Sequence, residues 1–349
     1  MHSFRDRYFG LIRQWIPSQA EGSSVGLDIG AGDCKFVQIQ KSGDSFQLLN
    51  WGIEPLVQED TEATFKKVLE RLNPPYKSIC TSVFGKGTLI RYIEMPRMSP
   101  EELRKSFAIE ADKYFPFAQD QIYTDCFILD PQSKDRQMSV MAAAAKKELI
   151  DGRLKLLNKL GIQTDFIGIN PVALANGLHV LGAREEQCPV VALFDMGESV
   201  SNLTILVDQL PRFTRDIFIG GRDFTKRIGN ALGLSFPEAE NLKKEPAQRS
   251  EDVLNACESA IMNMIQELRL SFDYFTTERN REINKLLLTG GASMLEGVAE
   301  IFKKTLDIQT GIWDPVDSLK IPPELSVETM GKKSLKLGVA VGLALYPYD

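Results

Sequence analysis

Two aspartates lie where apolar runs end, and a turn that contains glycine follows each of them. Asp28 is followed by Gly30, and Asp195 is followed by Gly197. Glycine lets the backbone of such a turn approach an anion closely, so that its N–H groups can bind the charge. A carboxylate repels a phosphate unless a hydrated Mg²⁺ lies between them. The four residues therefore predict a phosphate site with magnesium, although each turn alone is equally typical of an ordinary hairpin.

The spacing of the two turns strengthens this prediction. About half of the 349 residues separate the two aspartates, which indicates an internal duplication whose halves face each other across a cleft. Lys35 follows the first turn and supplies a cation, which a protein of net charge −6 needs wherever it binds a polyanion.

Two further patterns are candidates for binding the rest of a nucleotide. An apolar strand runs into Gly290 and Gly291, and paired glycines leave room for a flat ring or a ribose against the backbone. Glu240 and Lys243 are three positions apart on one face of a predicted helix. They either bracket a ribose or form an ordinary solvated ion pair, and the spacing alone favours the ion pair.

The composition argues against several other classes of protein. The chain is 43% hydrophobic and 25% charged, as globular proteins are, and its acidity argues against a general nucleic-acid binder. Five scattered cysteines without a C-x-x-C pair, and only two histidines, do not support a zinc site, a disulfide framework or a histidine-based triad. No apolar run approaches the roughly 20 residues of a membrane span.

The elements around the first aspartate predict a half-domain of three strands, a helix and a strand. A hairpin of two strands is expected over 25–39. Further strands are expected over 46–51 and 78–84, with a helix over 61–72. The segment 89–168 interrupts this order with a strand, a helix, two strands and a helix, which predicts an inserted α+β module.

Other segments are expected to connect or flank the halves. Short helices rich in small residues, at 170–178 and 338–345, are predicted to pack closely as a pivot. A long helix is expected over 252–278. Residues 1–22 carry apolar residues at helical spacing among arginines, and they either touch a membrane or a partner or pack on their own domain.

Five segments resemble the motifs of the actin, sugar-kinase and chaperone ATPase superfamily, in the same order: 25–37, 169–178, 190–205, 286–295 and 336–345. This resemblance implies an α/β, actin-like (ribonuclease H-like) duplicated fold with two halves around a nucleotide cleft and an inserted α+β subdomain in the first half.

The insert narrows the resemblance to the PilM family of type IV pilus assembly proteins and its relative FtsA. The tract 93–117 carries the most specific similarity, within a resemblance over about residues 24–346. The family organisation implies an N-terminal amphipathic segment (1–22), a first half (23–88 and 169–186, completed by 334–349), an insert (89–168), a second half (187–219 and 284–333) and a helical subdomain (220–283).

The resemblance also implies a function. It implies a scaffold in the cytoplasm, peripheral to the inner membrane, that binds ATP with Mg²⁺ and docks the cytoplasmic tail of a PilN-like membrane protein in a nucleotide-sensitive manner. Other pilus assembly components and self-association are further implied contacts. By position, the phosphates would face Asp28, Gly30, Lys35, Asp195 and Gly197, with Mg²⁺ held through water by Asp28 and Asp195. Glu240 and Lys243 would flank the ribose and base, with Gly290, Gly291 and Ser293 beneath.

Several residues depart from the family pattern. The first turn, which usually carries serine or threonine, has Ala31, Gly32 and Asp33, of which Asp33 adds a charge. Glu198 replaces a small residue, and Asn170 stands where an acid is common. The carboxylate of Asp33 is expected to weaken nucleotide binding unless metal or Lys35 compensates for it. Asparagine is a poor base for activating water, so at most a slow ATPase is expected.

The sequence leaves some alternative functions open and argues against others. A filament-forming, FtsA-like membrane tether and a cytoplasmic component of a related type II secretion system remain open. A small-molecule kinase lacks support, because no insert resembles a sugar-binding loop. A dinucleotide-binding G-x-G-x-x-G turn would need glycine in place of Lys35, and a Walker A loop is missing.

Overall fold

A computed structural model describes residues 22–56, 61–182, 189–325 and 330–348. The amphipathic segment predicted over 1–22 lies, except for Gly22, outside the described residues. The strands are β1 Ser23–Ile29, β2 Asp33–Ser42, β3 Ser45–Pro55, β4 Tyr76–Val83, β5 Thr88–Pro96, β6 Ile122–Ile128, β7 Gln137–Lys146, β8 Phe166–Ile169, β9 Val190–Asp195, β10 Ser201–Val207, β11 Leu210–Ile217, β12 Lys285–Thr289 and β13 Gln309–Ile312. The helices are α1 Thr61–Arg71, α2 Pro100–Glu110, α3 Lys147–Lys159, α4 Asn170–Leu181, α5 Gly221–Leu232, α6 Phe236–Lys244, α7 Ser250–Arg279, α8 Val298–Leu306 and α9 Gly338–Leu345.

Two five-stranded sheets repeat the same topology. Their strand orders are β3-β2-β1-β4-β8 and β11-β10-β9-β12-β13. In each sheet the first three strands along the chain are antiparallel, and the last two run parallel to the first. The duplicated α/β fold predicted from the sequence is therefore confirmed, with Asp28 and Asp195 ending the equivalent strands β1 and β9.

Small residues let the two connecting helices approach each other and β1. A Cβ atom at Gly26 would lie 1.8 Å from the carbonyl oxygen of Ala340, and one at Gly342 would lie 1.7 Å from that of Ala173. Asn176 also donates a hydrogen bond from Nδ2 to the carbonyl oxygen of Gly342 at 3.0 Å. The backbones of β1, α4 and α9 are thus in direct contact, as the small-residue pattern predicts.

The insert forms a separate three-stranded sheet in the order β5-β7-β6. Ser99 caps α2 in a reciprocal capping box with Glu102, and α2 packs through Leu103 and Phe107 on the core of this sheet. The sheet ends at residue 146, inside the segment 89–168. Beyond it, α3 packs through Leu157 into the first-half core, and β8 pairs with β4.

The insert also contacts the second half. The hydroxyl groups of Tyr92 on β5 and Thr214 on β11 are 2.9 Å apart and hydrogen bonded. Arg212 donates from Nη1 to the Ser139 hydroxyl at 3.1 Å. The insert therefore contacts the second half through β5 and β7.

The helical subdomain consists of α5, α6 and α7, which share one hydrophobic core with the second sheet. The long helix α7 extends slightly beyond the predicted 252–278 at both ends. Among the described residues, no helix combines the length and the apolar character needed to cross a membrane.

Candidate functional site

The first turn places a buried ion pair at the end of β1. Asp28 lies opposite Lys35 in the β1–β2 register, and Lys35 Nζ donates to Asp28 Oδ2 at 2.7 Å. Asp28 is only 3% exposed, and within the described chain its Oδ1 atom has no hydrogen-bond donor. An unpaired buried carboxylate oxygen is costly, so this atom fits a water bound to a cation.

Carboxylates from both halves affect the pKa of Lys35. Burial alone lowers the pKa of its ammonium group, but Asp28, Asp195 and Asp33 together hold that pKa above its usual value. Lys35 is therefore charged throughout the physiological pH range, and its side chain faces the space between the two turns.

The second turn places Asp195 in the same space. Burial raises the pKa of Asp195 to about 6; Lys35 opposes this shift and Asp28 adds to it. Since the charges of Asp28 and Lys35 both act on Asp195, the ends of β1 and β9 lie near each other. A divalent cation would stabilise both aspartates as carboxylates.

The turns of the two halves touch. A Cβ atom at Gly32 would lie 1.4 Å from Oε2 of Glu198, so the glutamate of the second turn lies on the backbone of the first. Lys336 Nζ donates to Asp33 Oδ2 at 2.6 Å. Asp33 is thus paired directly with Lys336, which was not among the predicted site residues, and the charge of Lys35 also acts on it.

The Gly-Gly turn packs against the second aspartate. Gly290 has φ +87°, and a Cβ atom there would lie 2.2 Å from Asp195 Oδ1, so this position requires glycine. Gly291 opens a short 3₁₀ turn at 291–294, and the next helix, α8, begins only at Val298. Ser293 is buried and donates from its hydroxyl to the Gly290 carbonyl oxygen at 2.7 Å, so it stabilises the turn.

Glu240 and Lys243 belong to a hydrogen-bond network and are not a solvated pair. Lys243 Nζ donates to Glu240 Oε2 at 2.7 Å, to Thr225 Oγ1 at 2.7 Å and to the Gly221 carbonyl oxygen at 2.9 Å. Burial by itself raises the pKa of Glu240, but hydrogen bonds from Lys243 and Thr225 lower it to about 2. A Cβ atom at Gly221 would lie 3.5 Å from both Lys243 Nζ and Ala292 Cβ, so the network borders the Gly-Gly turn.

Two further polar residues form hydrogen bonds near the end of β4. Asn170 accepts a hydrogen bond at Oδ1 from the Ser82 hydroxyl at 2.7 Å, where β4 and β8 end. Arg153 of α3 donates from Nη1 to Thr81 Oγ1 at 3.2 Å. Burial lowers the pKa of Arg153 to about 10, and Asp28 opposes that shift. Arg153 and Thr225 could not be predicted from the sequence, because neither belongs to a local motif.

A directly ligated metal is not supported by the described residues, which contain no group of three or more histidine, cysteine or acidic side chains able to hold one. The two carboxylates at the ends of β1 and β9 instead fit a hydrated divalent cation that they hold through its water ligands, with phosphate oxygens completing the coordination.

Comparison with known proteins agrees with this architecture. The structure is similar to that of a PilM–PilN type IV pilus biogenesis complex, with a TM-score of 0.82, 26% identity, and coverage of 93% of this chain and 98% of the other. MreB 5 of Spiroplasma citri bound to AMPPNP shares the fold, with a TM-score of 0.52, 10% identity, and coverage of 94% and 96%.

A curated relative, the cell division protein FtsA of Bacillus subtilis (strain 168), is 23% identical over 256 residues, which are 63% of this chain and 57% of FtsA. The chain thus spans little more than half the length of that relative. The family model described as type IV pilus assembly protein PilM matches residues 26–348. The chain, with its duplicated actin-like fold and its inserted sheet, belongs to the PilM family of type IV pilus assembly proteins.

Proposed function

We propose that this protein is an ATP-binding scaffold of the type IV pilus machinery that docks the cytoplasmic tail of a PilN-like inner-membrane protein. The similarity to the PilM–PilN complex over nearly the whole chain is the observation that carries the partner. The scaffold would work in the cytoplasm, held at the inner membrane by that partner.

The turns at the ends of β1 and β9 support Mg²⁺ and ATP as ligands. Bound Mg²⁺ would neutralise phosphate charge, with Asp28 and Asp195 holding its water ligands. Lys35 would bind phosphate oxygens as an ammonium, and the backbone at Gly30 and Gly197 would approach them closely. The network of Glu240 and Lys243 would flank the ribose and base above Gly290, Gly291 and Ser293.

Slow hydrolysis follows from Asn170. Its amide oxygen is already the acceptor for Ser82 and has no basicity with which to take a proton from water. ATP would then act as a ligand that favours one arrangement of the two halves, to the extent that it binds that arrangement more tightly.

The position of the insert supports sensitivity of docking to the nucleotide. The insert continues into α3, which reaches the first-half core through Leu157, and it contacts β11 of the second half through Tyr92. Movement of one half relative to the other would therefore change the surroundings of the insert.

The test is binding of a labelled peptide with the sequence of the partner's cytoplasmic tail. Fluorescence anisotropy would measure its Kd with and without Mg-ATP, and we expect a change of about fivefold or more, the usual lower range of allosteric coupling. Asp28→Asn should abolish the change, whereas Asp44→Asn, at an exposed position between β2 and β3, should keep it.

The outcomes separate the parts of the proposal. An unchanged peptide Kd in the presence of bound Mg-ATP would reject nucleotide sensitivity. Absence of peptide binding would reject the partner. ATP-dependent light scattering with sedimentable polymer would instead favour the FtsA-like filament, for which the match to FtsA is the motivating observation.

A further inference from the structure

Asp33 and Lys336 form an ion pair that crosses from one turn to another. Their charged atoms are 2.6 Å apart, and the side chains are only 20% and 22% exposed. They are 303 positions apart in the sequence. Because the pair is partly shielded from water, its attraction is stronger than that of an exposed surface pair.

Lys336 is anchored on the Gly-Gly turn. The carbonyl oxygen of its neighbour Leu335 accepts a hydrogen bond from Gly290 N at 2.9 Å and another from the Thr289 hydroxyl at 3.3 Å. The side-chain carbons of Lys336 lie 3.2–3.8 Å from where a Cβ atom at Gly291 would be. Its stem therefore rests on the turn assigned to the nucleoside, while its ammonium reaches the turn assigned to the phosphates.

Among the described residues, Lys336 alone forms an ion pair with Asp33, although the charge of Lys35 also acts on Asp33. Lys35 donates to Asp28, and Glu198 brings a further carboxylate onto Gly32. The first turn is thus bordered by several acids, and Lys336 forms an ion pair with one of them, Asp33.

We propose that Lys336 binds the phosphates of a nucleotide, and that Asp33 pairs with its ammonium group when no nucleotide is bound. A polyphosphate entering between the turns competes with Asp33 for the ammonium group, and Lys336 reaches it without moving its anchor at Leu335. Asp33 therefore lowers nucleotide affinity, and a triphosphate, with its larger charge, displaces it better than a diphosphate. This inference rests on the proposed binding of nucleotide.

The rival explanation is that Lys336 only neutralises Asp33 and never contacts the ligand. A double-mutant cycle separates the two explanations. The variants are Asp33→Asn, Lys336→Met and both together, and calorimetry gives the Kd for Mg-ATP and Mg-ADP.

If Lys336 binds phosphate, Asp33→Asn tightens Mg-ATP binding, and Lys336→Met weakens it in both backgrounds. In the Asp33→Asn background the loss should be about tenfold or more, the value of one charge-assisted hydrogen bond. It should also be larger for Mg-ATP than for Mg-ADP. If Lys336 only neutralises Asp33, Lys336→Met has no effect once Asp33 is replaced, and that result would overturn the proposal.

Controls keep the outcomes distinct. Lys336→Arg should retain affinity within a few-fold, and Lys333→Met, at an exposed position of the same segment, should change nothing. Thermal unfolding without nucleotide identifies any variant that fails to fold, in which case Lys336→Gln replaces Lys336→Met. If the folded wild-type protein and Asp33→Asn both fail to bind nucleotide, the proposed function fails together with this inference. If the wild type and Asp33→Asn both bind nucleotide, and Lys336→Met does not change the Kd in the Asp33→Asn background, only this inference fails.

Discussion

The two halves share a topology but not the charge at the ends of their first strands. In the first half, Asp28 is paired in register with Lys35. In the second half, Asp195 is paired in register with Asn202, whose amide donates to Asp216 at 2.8 Å. Asp195 therefore has no lysine on its own hairpin; burial raises its pKa, and Lys35 of the first half opposes that shift.

We infer that the duplicated halves contribute differently to the proposed site. The first half supplies the cation Lys35, and the second half supplies Asp195, whose charged form Lys35 favours. A site between unequal halves is incomplete when the halves separate, which makes its affinity depend on how they are placed.

Replacing Lys35 should have the largest effect. Lys35→Met leaves the buried carboxylate of Asp28 without its partner and removes the cation that both halves share. We expect unfolding in urea to show a loss of about 1–3 kcal/mol, and Mg-ATP affinity to fall by about 100-fold or more.

Lys41→Met is the matched control, because Lys41 lies exposed near the end of the same strand. If Lys35→Met bound Mg-ATP as tightly as this control, Lys35 would not be a cation that both halves share at the nucleotide.

Asp195 should give a smaller effect that depends on pH. Its folded pKa of about 6 exceeds the unfolded value of about 3.9, so the folded state binds more protons between these values. The free energy of unfolding should therefore fall as pH rises from 4 to 6, by about 1–2 kcal/mol after allowance for solvent screening.

Asp195→Asn should remove this slope, as chemical denaturation across that pH range would reveal. Mg-ATP affinity of the wild type should weaken below pH 6, because protonated Asp195 no longer attracts the cation. A slope that persisted in Asp195→Asn would assign the titration to another group.

Glu198 should give the smallest effect. At the equivalent position the first turn carries Ala31, and the carboxylate of Glu198 lies on the backbone of Gly32. Glu198→Ala makes the turns alike and should strengthen Mg-ATP binding by about three- to tenfold, since one repulsive charge is removed. Glu278→Ala, at an exposed position on α7, serves as the control in the same titration. Weaker binding by Glu198→Ala would mean that Glu198 holds the ligand.

The sequence predicts the parts of the site that depend on local chemistry. Asp28 and Asp195 are recognisable because a strand end and its glycine turn are continuous in sequence, and the structure brings them together. The topology follows from the repeated order of strands, which a duplicated chain preserves.

The remaining features depend on tertiary contacts and could not be predicted in this way. The bond from Lys336 to Asp33 joins residues at opposite ends of the chain. Spacing alone favoured a solvated pair for Glu240 and Lys243, and only the packing of α6 beside α5 brings Thr225 into their network. The sheet of the insert ends before α3 because Leu157 finds its apolar neighbours in the first half.

The close contact of α9 with β1 has a consequence for biosynthesis. The core around Val37 and Ile39 is completed by Ala340, Val341 and Ala344, which the ribosome adds more than 300 residues later. The N-terminal sheet is therefore incompletely covered while the second half is translated. A chain that stops before this helix leaves the core at Val37 and Ile39 without these three residues.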